Sequence, residues 1–179
     1  PEEAQALTRK MIELASRECL SHGVSTFHDA GSMFGTIDIY KKMAEEGALP
    51  VRLYVMLSAD SQALAARGAA YRMIGAVSNH LTVRTIKRLI DGALGAHGAW
   101  LLEPYSDLPT STGLNTESIE EMKATAKFAI ENGFQLATHA IGDRANRETL
   151  DIYEETFKAH PEKRDLRWRI EHAQHISLA

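Results

Sequence analysis

Only one of the 179 residues is cysteine, Cys19, so an intramolecular disulfide and any cysteine-rich zinc site are excluded. No run of 18 apolar residues occurs, and Pro1-Glu2-Glu3 is not the basic opening of a signal peptide. A cytoplasmic protein without a membrane partner is the expectation. Positive charge is in deficit, with 20 Lys plus Arg against 24 Asp plus Glu and a net charge of −4. That balance gives no support for a nucleic-acid footprint. Gly-x-Gly-x-x-Gly, Gly-Lys-Ser/Thr and His-Glu-x-x-His are all missing, which removes the common nucleotide-loop and zincin-helix signatures. The chain opens on Pro rather than Met, so a processed or partial chain is expected.

What is present is ordinary globular material. Hydrophobic residues at 44% and charged residues at 25% suit a folded domain that buries roughly two-thirds of its unfolded surface. The length falls short of a complete eight-stranded β/α barrel, which takes about 250 residues. Residues 4–22 carry Ala4, Leu7, Met11, Leu14 and Ala15 at helical spacing, and Gly23 stops them. Val24–His28 is β-prone, with Asp29, Gly31 and Ser32 marking a loop. A helix over 36–46, a strand over 51–57, a helix over 60–73 and a strand over 83–90 follow.

From Asp91 to Thr116 six glycines and prolines interrupt every period. A loop of that length in a compact domain is usually functional or disordered, and Trp100, Leu101, Leu102 and Tyr105 argue against disorder. Periodicity resumes with a helix over 117–132, where Ser118 and Glu121 have capping-box spacing and Gly133 terminates. A strand over 134–138, a helix over 144–159 with Asp143 as its N-cap, and a strand over 167–171 complete the pattern. Five strands alternating with helices, joined by crossovers too long for hairpins, predict an α/β fold with a parallel sheet. Open sheet and barrel sector are equally compatible with that periodicity.

In either architecture chemistry collects at the C-terminal ends of the strands. His28-Asp29, Lys87 with Asp91, His139 and His172 fall there. Two histidines, a lysine and carboxylates on one rim suit a metal or acid–base site, although a lone strand-end histidine is more often structural. Lys87 has three readings: a Schiff-base amine, a carbamate formed with carbon dioxide, or a surface lysine. Strand parity sets Arg84 and Arg88 on one face and Lys87 on the other, which favours an inward Lys87. Asp143 either caps its helix or orients an imidazole.

Gly23-Val24-Ser25-Thr26-Phe27-His28-Asp29-Ala30-Gly31 and Ile86-Lys87-Arg88-Leu89-Ile90-Asp91-Gly92-Ala93-Leu94-Gly95 resemble the amidohydrolase superfamily. Leu102-Glu103-Pro104-Tyr105-Ser106-Asp107, Thr138-His139-Ala140-Ile141-Gly142-Asp143-Arg144-Ala145-Asn146 and Arg169-Ile170-Glu171-His172-Ala173-Gln174-His175 continue the likeness in order. The branch resembled is the amidohydrolase-3 group, with its YtcJ-like proteins and N-substituted formamide deformylases.

The resemblance implies a parallel (β/α)8 TIM barrel of the metal-dependent hydrolase type, present here as a partial barrel. It implies hydrolysis of an amide or formamide C–N bond with one or two divalent metals, most often zinc. Lys87 takes the place of the bridging carboxylated lysine, and His139 and His172 those of the single-histidine ligands. Asp91, Asp143 and Arg144 are motif residues of the surrounding shell.

The family's His-x-His pair on the first strand and Asp on the last strand do not occur in this sequence. Residues 1–179 therefore read as the central part of one catalytic domain, without its first strand, last strands and small β-sandwich, and inactive alone. The expected partner is a small-molecule amide or formamide, with a homo-oligomer left open. Two alternatives stand beside this reading: a non-catalytic barrel-derived scaffold or binding protein, and a Schiff-base enzyme using Lys87.

Overall fold

In the computed structural model, residues 2–177 are described. They form α1 (Glu2–Ser21), β1 (Thr26–Ser32), α2 (Phe34–Glu45), β2 (Arg52–Leu57), α3 (Ser61–Arg67), β3 (Met73–Gly75), α4 (Ala76–Asn79), β4 (Leu81–Leu89), α5 (Ile119–Glu131), β5 (Gln135–Ala140), α6 (Asp143–Ala159) and β6 (Arg169–His172). The strands lie in the order β1-β2-β4-β5-β6, with β3 beside β4. This is an α/β fold with a parallel sheet, the arrangement of a partial (β/α)8 barrel. Among the described residues no helix is long and apolar enough to cross a membrane.

Two compact units divide the chain. The first holds residues 1–59 and 67–85. Here β1 and β2 pair in parallel, from Thr26 opposite Arg52 to Asp29 opposite Val55. β2 is buried at Leu53, Val55, Met56 and Leu57, as its nearly unbroken apolar run requires. Ile37 and Met43 of α2 are likewise removed from water. At α1 the expectation fails in part. Leu7, Met11 and Leu14 form the expected stripe but stand 62%, 61% and 53% exposed. Helix periodicity identifies an apolar face without specifying what covers it.

The loop expected at Asp29–Ser32 is also corrected. β1 continues to Ser32, which pairs with Leu57 after an irregularity beyond Asp29. Gly31 has φ 141°, backbone that residues with a Cβ rarely adopt, so the turn-forming residue supplies a bulge inside the strand. The helix expected over 60–73 is shorter. It gives way at Gly68 to a 3-10 turn and then to the antiparallel β3, which the alternating pattern did not foresee.

The second unit holds residues 60–66 and 86–179. β5 and β6 pair in parallel, with Ala137 opposite Arg169 and His139 opposite Glu171. Behind them α5 and α6 bury Met122, Ala126, Ile130, Ala145 and Ile152. Ser118 accepts the Glu121 amide at 3.1 Å, as the capping spacing predicts. At the other end Gly133 takes φ 69°, and the Phe134 amide reaches back to the Ala129 carbonyl at 2.9 Å.

The N-cap of α6 is Gly142, not Asp143. Asp143 is the first helical residue, and its carboxylate accepts from its neighbour Arg144 and from the Leu102 amide, each at 2.9 Å. Residues 91–116 are an ordered loop around a small core of Ala99, Leu101, Tyr105 and Ile141. The Tyr105 hydroxyl donates to the Ala99 carbonyl at 2.8 Å, and Leu101 bonds Thr112 across the loop.

Candidate functional site

Within the second unit, β4, β5 and β6 deliver Lys87, His139 and His172. Lys87 is buried, and its Nζ donates to the Arg88 carbonyl at 3.2 Å. Burial pushes its pKa below that of an ordinary lysine, while Glu171 and Glu117 pull it back up. Its neighbour Arg88 bonds Glu117, just before α5, and Glu121 in its first turn. The alternation expected of Lys87 and Arg88 is what β4 displays.

The imidazoles of His139 and His172 meet edge to face, with centroids 4.5 Å apart. Register alone does not bring them together, since His139 lies opposite Glu171 and His172 opposite Ala140. The backbone leaves the extended form at His172, with φ 77°, and at Ala173, with φ 44°. This step turns the ring out of the strand's alternation.

Burial, then the charges of His172 and Lys87, lower the His139 pKa; Asp91 and a hydrogen bond with the Gly92 backbone oppose them. His139 Nε2 is buried without a hydrogen-bond partner and lies 3.4 Å from Asp91 Oδ1. An orphaned, buried imidazole nitrogen is the observation that fits a missing electrophilic ligand, because leaving it unsatisfied is unfavourable.

Among the described residues, however, no group of three or more His, Cys, Asp or Glu side chains could hold a metal ion. Any metal held by the two histidines would need a third donor of another kind, and Lys87 would serve only if modified.

His28 stacks on Tyr54 in the first unit, apart from this group, while Asp91, Asp143 and Arg144 tie the loop and turn beside it. Asp91 accepts from the amides of Trp100 at 3.0 Å, Ile141 at 3.0 Å and Gly142 at 2.8 Å. Asp143 Oδ2 lies 3.8 Å from His175 Nε2. The Arg144 guanidinium sits over the Trp100 ring at 5.0 Å. Asn146 was not singled out from the sequence. It is buried in the first turns of α6 and donates to the carbonyls of Ala140, Gly142 and His175.

Glu171 is a second residue that the sequence does not point to. It shares a strand face with His139, acts on Lys87 and accepts from Arg169 at 2.9 Å. Strand parity counted from a site-facing His172 sends Glu171 to the other face, and only the register with His139 brings it back. An apolar cavity of about 380 Å³ in the first unit, lined by Met11, Phe27, Tyr40 and Leu53 among others, includes none of Lys87, His139 and His172.

Known proteins resemble most of the chain. Protein LONG AFTER FAR-RED 3 of Arabidopsis thaliana is 33% identical over 94% of this chain and 30% of its own length. The putative amidohydrolase YtcJ of Bacillus subtilis is 28% identical over 97% of this chain and 32% of its own. The chain thus spans about a third of the curated relatives it matches.

Two crystal structures of uncharacterized metal-dependent hydrolases, from Pyrococcus horikoshii and Pyrococcus furiosus, superpose with TM-scores of 0.72 and 0.73 at 29% identity. They match 83% and 90% of this chain, and 30% and 32% of theirs. The family model described as "Amidohydrolase family" matches residues 1–178, and with the parallel β/α sheet and the ordered motifs it leaves one conclusion: the chain belongs to the amidohydrolase family.

Proposed function

We propose that these residues form part of the active site of a metal-dependent amidohydrolase that cleaves a non-peptide C–N bond, an amide or formamide. Lys87, His139 and His172 are the ligand set, and residues 1–179 are the central part of the catalytic domain. The reading is carried by the orphaned Nε2 of His139, buried beside the His172 ring.

In this reading Lys87 becomes a ligand by carboxylation. Its neutral amine, which burial favours, adds to carbon dioxide; an N–C bond forms and the amine proton leaves to solvent. The resulting carbamate is an anionic oxygen donor that completes the two imidazoles. One or two zinc ions suit such nitrogen and oxygen donors and, when bound, supply Lewis acidity toward the scissile carbonyl and acidify water. Around them Asp143 and Arg144 hold the 91–116 loop against α6, so that Trp100 and its neighbours bound the substrate's acyl or amine substituent.

Metal analysis of the full protein tests the proposal. Folded protein from metal-supplemented expression carrying less than about 0.1 metal per chain overturns it, because ligand sets of this kind bind stoichiometrically. Lys87→Ala should lower metal content and reduce activity by several orders of magnitude. Acetate or propionate should restore part of both by replacing the carbamate. A borohydride-trapped adduct with a carbonyl substrate, abolished by the same substitution, would favour the Schiff-base reading instead.

A further inference from the structure

The carboxylate of Asp91 joins two pieces of backbone far apart in sequence. It follows β4 directly, is almost completely buried, and receives three main-chain N–H groups. One, from Trp100, lies in the middle of the 91–116 loop. The others, from Ile141 and Gly142, make the turn between β5 and α6. The same carboxylate lies 3.4 Å from the otherwise unpartnered Nε2 of His139.

The two backbone pieces also grip one another. The Trp100 carbonyl accepts the Ala145 amide at 3.2 Å. A Cβ placed on Gly142 would run into the Trp100 backbone, so glycine is the residue that permits this approach.

We propose that Asp91 is a positioning residue: one carboxylate fixes the 91–116 loop, the β5–α6 turn and the orientation of the His139 imidazole together. The part concerning His139 as a ligand rests on the reading above, whereas the junction between loop and turn does not. A buried carboxylate with three amide donors has little freedom to move, and it sets a fixed negative charge 3.4 Å from the Nε2 edge of the imidazole, which favours that orientation of the ring. Asp143, which also holds the loop through Leu102 but is not the carboxylate beside Nε2 of His139, provides the internal control.

The test compares Asp91→Asn, Gly142→Ala and Asp143→Ala in the full protein. Amide exchange is followed in peptides covering 92–102 and 140–146, zinc affinity by chelator competition, and the His139 ring by nitrogen-15 NMR. Asp91→Asn should speed exchange in both peptides, move the His139 ring signals, and weaken zinc binding about 10- to 100-fold. Gly142→Ala, which leaves the carboxylate intact but pushes Trp100 away, should produce the same three changes; it carries the test if Asp91→Asn does not fold. Asp143→Ala, which frees the Leu102 and Arg144 amides, should speed exchange at those two positions and move the ring signals and zinc affinity less than Asp91→Asn does.

Faster exchange with unmoved ring signals and unchanged zinc affinity, in Asp91→Asn or in Gly142→Ala, would reduce Asp91 to a structural brace and overturn the proposal. If the folded wild-type protein binds no zinc, the metal reading fails and the ring signals decide. Movement in Asp91→Asn supports the positioning role, and their constancy overturns it.

Discussion

Arg88 and Lys87 are consecutive in β4, and the period of the strand sends them to opposite faces. Arg88 meets Glu117 at 2.7 Å and Glu121 at 3.0 Å and is 7% exposed, while the glutamates keep 22% and 29% exposure. Arg88→Ala therefore strips two carboxylates of their cation in a half-wet setting. We expect a loss of about 2–3 kcal/mol, below the cost of breaking a fully buried pair, measured by denaturant unfolding. On the opposite face His139→Ala and His172→Ala should each reduce metal content and leave stability almost unchanged, because they empty a rim rather than a core. Their effects on metal affinity should be strongly non-additive, as for residues serving one site.

The alternation of Arg88 and Lys87 was legible because it needs only a strand and a count of two. Glu171 was not legible in that way, because parity from a site-facing His172 points it to the other face and only the register with His139 returns it. The approach of His172 to His139 was not legible, because it depends on backbone angles that no residue type at 172 or 173 advertises.

Among the elements, α5 shows how far local sequence reaches. Ser118 caps it over three residues, and Ser118→Ala should cost about 1 kcal/mol in thermal or denaturant unfolding. The reciprocal half of the capping box does not form as spacing implies. The Glu121 carboxylate is taken by the backbone and hydroxyl of Ser61 and by Arg88, partners sixty and thirty-three positions away.

At β1 the same principle ends a strand too early. Asp29, Gly31 and Ser32 are turn residues by composition, yet β2 offers hydrogen-bonding groups that carry the strand to Ser32. The Asp29 carboxylate is occupied by Ser32 at 2.6 Å and Tyr40 at 2.7 Å. Tertiary pairing overrides local preference wherever a long-range partner satisfies the backbone better.

For the molecule as a whole, the exposed face of α1 is the feature to test. Leu7, Met11 and Leu14 offer apolar surface to water, and buried side chains of this size are worth about 1.5–3 kcal/mol each. In the 179-residue chain, replacing all three by Gln should raise the monomer fraction in sedimentation without lowering thermal stability. In a longer chain that covers this face, the same triple substitution should destabilise instead. Equal and negligible effects in both would show that α1 needs no cover.

The alternation of strands and helices, the parallel order and the family motifs were readable at this scale, because each is written in short runs. What lies over α1 is a property of surfaces, and a helix face does not name its neighbour.

The backbone step at His172 and Ala173 has a practical consequence for anyone moving this pair of histidines into another barrel. Copying the two side chains at the ends of neighbouring strands would reproduce the residue types and miss the encounter. His172 is paired opposite Ala140, and in an ideal ladder that pairing would keep its ring on the other side of the pleat from His139. The recipient would also need two consecutive left-handed residues, each a departure of about 1–2 kcal/mol for an L-amino acid. It would need the clasp that holds them, formed by the Ala173 amide on the Ala140 carbonyl and the His175 amide on the Ile141 carbonyl. The transplantable unit is a bend with its fastenings, and the imidazoles are its cargo.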